Sequence, residues 1–161
     1  MRRMAANTAS AHVIGGTEDL HAAAAVRLTR DHQRYTSGRR ALVELLAAAP
    51  HPLTVVEVLE RHEGLTQSSV YRNLTILEAA GVVDRVVTDD EFTRFELAED
   101  LTGHHHHHLI CAGCGTVKDF SVPSELESAM DEVFRDVAHQ SGFSVGHHRM
   151  DLIGWCANCQ Q

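Results

Sequence analysis

Apolar positions in the first half of the chain recur at helical spacing, then change to alternation near residue 82. Glu18 to about His32 carries Leu20, Ala22 to Ala25, Val26 and Leu28, a run of strong helix formers. Thr36 or Ser37 can cap a second helix with Leu42, Val43, Leu45 and Leu46 on its apolar stripe, ended by Pro50 and Pro52. Thr54 caps a short helix over 55–62 that stops at Gly64. Val70, Leu74 and Leu77 then share one face of a further helix, with Gly81 placed to close it in the left-handed region. From there the period becomes two. Residues 82–87 read as a strand, Asp89-Asp90 as a turn and 92–97 as the returning strand. Helices followed by a two-stranded wing predict a winged helix-turn-helix.

The second half has a different texture. Glu99 to Gly103 reads as a polar linker, and five consecutive histidines, His104 to His108, run into Leu109-Ile110 and a Cys-x-x-Cys. The apolar pair before the Ala112-Gly113 turn predicts a strand entering a hairpin, with Thr116 to Phe120 as its partner. Pro123 suits the first turn of a helix over 124–140, with Leu126, Met130, Val133, Phe134 and Val137 as its core stripe. Gly142 ends it, and Phe143 to Trp155 reads as a last strand leading into Cys156-Ala157-Asn158-Cys159. The fold class expected is α+β: an N-terminal winged helix-turn-helix followed by a small α/β unit of βαβ-like order.

Charge divides the same way. The formal net charge is −8, but 27–85 holds 8 Arg against 7 Asp or Glu, whereas 99–161 holds 3 basic and 9 acidic residues. Only the front half is a plausible nucleic-acid surface, and the back half suits cations. No apolar run approaches the ~18 residues of a membrane span. Arg2-Arg3 lacks a following apolar stretch, so no export signal is read and a cytoplasmic protein is expected. In that compartment the four cysteines, in two Cys-x-x-Cys pairs, point to zinc rather than disulfides.

Side chains alternate faces along a strand, so the histidine tract can serve two sites at once. His106 and His108 share one face with His104; His105 and His107 share the other. Imidazole with carboxylate suits Zn2+, Fe2+, Mn2+ or Ni2+. Glu96 at the wing's end and Asp131 on the last helix are candidate carboxylates; His51 and His148 are candidate distant histidines. The two cysteine pairs, 41 residues apart, can close a four-thiolate tetrahedron. On the helix over 66–81, Ser69 and Tyr71 can donate to phosphate, and Arg72 can fork onto guanine.

Together these residues resemble the ferric uptake regulator family. The resemblance rests on Thr36-Ser37-Gly38-Arg39, Ser69-Val70-Tyr71-Arg72-Asn73-Leu74 with Ala80-Gly81, Arg94-Phe95-Glu96-Leu97, and the histidine tract entering Leu-Ile-Cys-x-x-Cys-Gly. It covers roughly Ala23 to Cys159. Residues 1–17, small, polar and Gly-containing, read as a mobile tail, and the polar stretch 99–103 as a hinge; between and after them the resemblance implies a DNA-binding domain over 18–98 and a metal-binding dimerisation domain over 104–161. It implies a homodimeric, metal-responsive repressor that binds double-stranded, palindromic operators, with no membrane association. It assigns a structural zinc to Cys111, Cys114, Cys156 and Cys159. It assigns a regulatory Fe2+ or Zn2+, with Mn2+ or Ni2+ as further candidates, to His51, Glu96, His106 and His108. A further site falls to His105, His107, Asp131 and His148.

Departures from the family pattern bear on these assignments. The segment after Glu96 and the region from Phe120 to Gly142 are longer than usual, so Glu127, one turn before Asp131, is an alternative ligand. Peroxide-sensing relatives favour Asp where Glu96 stands, which argues against that variant. Tyr71 and Arg72 are expected as main DNA contacts, and Arg34 as a minor-groove or phosphate contact. Two rival classes are a zinc enzyme with an open His-rich site and a His-rich metal buffer or chaperone. Against the first, no His-Glu-x-x-His appears.

Overall fold

The computed structural model describes residues 16–88, 92–103 and 105–160. Nearly all of the expected tail, the Asp89-Asp90 turn and His104 lie outside these. The front half is built from α1 (Thr17–Arg30), α2 (Ser37–Ala47), α3 (Val55–Arg61) and α4 (Gln67–Ala79). Each helix buries the stripe set by its spacing: Leu20, Ala24 and Leu28; Leu42, Val43 and Leu46; Val55 and Val58; Val70, Leu74 and Leu77.

The helix ends follow local chemistry. Thr54 Oγ1 accepts from Glu57 N at 3.2 Å while Glu57 Oε2 accepts from Thr54 N at 2.7 Å, a reciprocal capping box. Thr36 takes the cap position of α2 without a side-chain cap bond. α4 ends at Gly81, whose φ of 66° lets its N–H reach Glu78 O at 2.9 Å and that of Val82 reach Leu77 O at 2.8 Å. That closure turns the chain directly into β2 (Val83–Val86), which pairs antiparallel with β3 (Arg94–Leu97) to form the wing. A strand of two residues, β1 (Leu53–Thr54), lies on the other side of β3. Two residues are too few for an alternation signal, so the sequence pattern does not show it.

The stretch expected as a polar linker is a short helix, α5 (Glu99–Thr102). Leu101, 1% exposed, inserts into the front-half core, and Arg27 donates to both carboxylate oxygens of Asp100 at 3.0 and 2.7 Å. Burying one leucine outweighs the polarity of its neighbours and anchors the segment as a shelf beneath the histidine tract.

The second sheet centres on β4 (His107–Cys111). β5 (Val117–Phe120) pairs with it antiparallel, and β6 (Asp151–Gly154) pairs with it parallel after α6 (Ser124–Gln140). The last strand is shorter than expected because its pairing with β4 extends only from His108↔Asp151 to Cys111↔Gly154. α6 departs from expectation in a second way. Most of its apolar stripe is exposed rather than buried among the described residues: Leu126, Val133, Phe134 and Val137 are exposed and Met130 half-buried, and Phe143, Leu152, Ile153 and Trp155 are exposed beside them. Among the described residues beyond Gly103, the buried apolar side chains are Ile110, Cys111, Val117 and Ala138. Amphipathic spacing identifies an apolar face but not what covers it. No helix among the described residues is long and apolar enough to cross a membrane.

Candidate metal centres and nucleic-acid interface

The alternation of the histidine tract is realised in the fold. His106 and His108 turn toward the wing, where β3 presents Glu96. His106 Nε2 and His108 Nε2 each lie 3.1 Å from Glu96 Oε2. Asp119 joins them from β5, because the hairpin register sets it opposite His108; its Oδ1 is 4.0 Å from His108 Nε2. One donor atom from each of the four lies within 4.8 Å of the others. Behind His108, Asp151 Oδ1 accepts from Nδ1 at 3.1 Å, leaving Nε2 to face Glu96. His51 is not among the four: it is half-buried before β1, and its Nδ1 donates to Pro52 O at 3.1 Å.

Burial alone would raise the Glu96 carboxyl, but hydrogen bonds from His106 and His108 outweigh it and hold it at about 2. Burial would lower His108, but its bonds to Glu96 and Asp151 leave it above the usual 6.5. With the histidine sites free of metal, Glu96 contributes stability above pH 4.5, its ordinary value, that fades as acid carries it toward 2. His108 contributes stability below pH 6.5 that fades as the pH rises through its raised value. The pair is therefore expected to support this form best between about pH 4.5 and 6.5. Thermal melts across pH, compared with Glu96→Gln, check this; superimposable profiles contradict it.

The other face of the tract builds a second group. Donor atoms of His105, His107, Glu127 and His148 lie within 4.8 Å of one another. His105 Nε2 and His148 Nε2 are 3.3 Å apart, and Glu127 Oε1 lies 2.9 Å from His148 Nε2 and 3.1 Å from His105 Nε2. Despite these distances Glu127 Oε1 is a buried oxygen without a well-directed hydrogen bond. A tetrahedron with ligand bonds of ~2.0–2.1 Å has edges of about 3.3–3.4 Å, so this convergence suits a small cation better than mutual hydrogen bonding. Asp131 is not one of the four. It accepts from His148 Nδ1 at 3.1 Å, orienting that ring from behind.

The cysteine pairs meet at the far end of β4, with the four sulfurs within 4.8 Å of one another. Cys114 Sγ and Cys156 Sγ are 3.7 Å apart, close to the ~3.8 Å edge of a tetrahedron with Zn–S bonds of ~2.3 Å. A Cβ on Gly113 would stand 3.0 Å from Cys159 Cβ and 3.1 Å from its Sγ, so a side chain here would crowd the two knuckles where they meet. The backbone N–H of Cys156 donates to Cys111 Sγ at 3.2 Å and holds that thiol down at about 6. Cys159, in hydrogen-bonding contact with the thiols of Cys156 and Cys114, is pushed up to about 12. Four thiolates cannot share this space unaided; a cation lets all of them ionise.

On the front half, Tyr71 and Arg72 project from α4 into solvent, and Arg34 is likewise exposed before α2. Ser69 is half-buried, its Oγ accepting from Asn73 Nδ2 at 3.2 Å. Asn73 Oδ1 in turn accepts from Arg39 Nε at 3.3 Å. Arg39 and Asn73 are buried and lock α4 to α2, which steadies the exposed row.

Sequence reasoning missed Asp119, Asp151 and Glu99. The first had a readable signal: pairing Thr116 to Phe120 across the turn sets Asp119 opposite His108. Asp151 depends on the parallel register of β6, which only the crossover through α6 fixes.

Residues 31–153 match the ferric uptake regulator family. The chain is 33% identical over 132 residues to a peroxide-responsive repressor of Staphylococcus saprophyticus, spanning 79% of this chain and 82% of that protein. It is 33% identical over 133 residues to a peroxide operon regulator of Bacillus subtilis, spanning 80% and 85%. The fold superimposes on the ferric uptake regulator of Helicobacter pylori with a TM-score of 0.70, at 24% identity, over 93% of this chain and 97% of that one. The chain belongs to the ferric uptake regulator family, whose members are metal-responsive transcriptional regulators rather than enzymes.

Proposed function

We propose that this protein is a cytoplasmic repressor that binds palindromic operators as a homodimer when a divalent metal, iron or zinc, occupies the group formed by Glu96, His106, His108 and Asp119. One observation carries the reading: Glu96 comes from the wing, whereas His106, His108 and Asp119 come from the second sheet and the residue leading into it. A bound divalent ion supplies the positive charge that lets these donors converge without mutual repulsion. Glu96, His106 and His108 then hold the front half at one angle to the back half. Manganese and nickel suit the same donors. His51, expected here from the resemblance, stands outside the four donors and is not given a ligand role. The four cysteines hold zinc as a structural site, and His105, His107, Glu127 and His148 form an additional site, with Asp131 orienting His148.

The exposed apolar residues of α6 and β6 support a homodimer, since this face is uncovered among the described residues. In the dimer two α4 helices, carrying Tyr71, Arg72 and Ser69, reach adjacent major-groove turns, with Arg34 at the backbone or minor groove. A duplex taken from upstream of the protein's own coding sequence should be retarded by the Zn2+- or Fe2+-loaded protein. Arg72→Ala should weaken that binding about 10- to 100-fold, as expected for a bidentate base contact of ~1–3 kcal/mol. No retardation with any of the metals overturns the reading.

A second reading follows from the first two relatives, which are named for peroxide responses. Glu96 at the wing argues for metal sensing instead. Release of the duplex from Fe2+-loaded protein by micromolar peroxide, but not from Zn2+-loaded protein, would favour the peroxide reading.

A further inference from the structure

Glu99 belongs to neither group of four, yet its carboxylate touches both. Its Oε2 accepts from His105 Nδ1 at 2.6 Å. Its Oε1 accepts from the backbone N–H of His106 at 3.2 Å and lies 3.7 Å from His106 Nδ1. A carboxylate only accepts, so His105 carries its proton on Nδ1 and presents the Nε2 lone pair to His107, Glu127 and His148. The other oxygen steadies the backbone of His106, whose Nε2 faces Glu96.

His105 and His106 face opposite ways, so one side chain can reach both only from beside the start of the strand. α5 occupies that place. It is held there by buried Leu101, by the Arg27–Asp100 pair and by Ala98 N donating to Val82 O at 3.1 Å. Glu99 thus stands on an anchored element with one oxygen committed to each site.

We propose that Glu99 is a positioning residue that couples the two histidine sites, its carboxylate holding one histidine of each so that occupation of one site favours occupation of the other. The proposal rests on the reading of both groups as metal sites. Once an ion fixes His105, the carboxylate has lost its freedom, and His106 is steadied at less further cost. The same holds in reverse, since coupling between binding sites is reciprocal. Coupled sites range over about 5- to 150-fold, and a single shared carboxylate belongs near the lower end.

The test uses the full-length protein with its cysteine zinc in place and Co2+ as the probe, titrated against a competing chelator. In wild type, silencing the inner site with Glu127→Gln should lower Co2+ affinity at the Glu96 site by about 5- to 10-fold. In Glu99→Gln that dependence should vanish, the affinity being already reduced and indifferent to Glu127→Gln. A merely structural role would lower both affinities and leave the factor intact. Glu125→Gln, an exposed carboxylate on α6 outside both groups, should retain the coupling. If wild type shows no dependence between the sites, or Glu99→Gln keeps it, the proposal is overturned while the metal sites stand. If neither histidine group takes up Co2+ in wild type, the underlying functional reading fails as well.

Discussion

Replacing Cys111 with serine is expected to strip the four-cysteine site of zinc and to unfold the second half of the chain. The reason is how little else holds that half. Among the described residues beyond Gly103, only Ile110, Cys111, Val117 and Ala138 are buried apolar side chains, while the front-half cluster runs continuously from Leu20 to Leu101. A unit this small, with most of its apolar surface facing outward, needs a metal or a partner to be stable. Zinc in a four-thiolate site contributes on the order of 10 kcal/mol to folding, because the site does not exist in the unfolded chain. Cys111 is also the buried member of the four and receives the Cys156 N–H, so its loss is felt at the centre of the site. Zinc content by atomic absorption and circular-dichroism melts should show loss of the metal and of the cooperative transition of the second half. Unchanged zinc content and melting temperature would sink the structural-zinc assignment.

The second large effect is expected at the wing. Glu96→Gln keeps the size of the side chain but removes the charge that His106 and His108 share. Loss of one charged ligand should weaken metal binding there by at least the 10- to 100-fold typical of losing a supporting residue around a metal. Operator affinity in metal should then fall toward that of the metal-free protein, because only the fraction of molecules in the competent arrangement binds. Glu127→Gln, at the other site, is the comparison: it should weaken DNA binding far less, since all its ligand neighbours lie in the second half. Fluorescence anisotropy on a labelled operator duplex at fixed ionic strength separates the two. Equal losses in both variants contradict the assignment of Glu96 to the regulatory site.

The histidine tract was legible because a strand has a fixed period. Alternation alone separated His106 and His108 from His105 and His107, and the structure places those pairs in different groups. Register carried less far. Asp119 was implied by its hairpin, but Asp151 required a parallel pairing across α6 that no local pattern reveals. The helix carboxylate is instructive. Glu127 and Asp131 stand one turn apart on the same face of α6, so spacing could not say which enters the site and which backs His148. A helical stripe is equally mute about its cover: its spacing marks Leu126, Val133, Phe134 and Val137 as core, yet they are exposed in the single chain. Polar composition misled at Glu99 to Gly103, where one buried leucine and an arginine–aspartate pair convert a linker into a shelf.

The proposed switch requires Glu96, His106, His108 and Asp119 to join the two halves when a metal is present. It is tested by measuring the affinity of wild-type protein for its operator duplex, with the cysteine zinc retained, before and after addition of Zn2+ or Fe2+. At least a tenfold gain in affinity on metal addition, abolished by Glu96→Gln, is the predicted result. Equal affinity with and without the metal would contradict it.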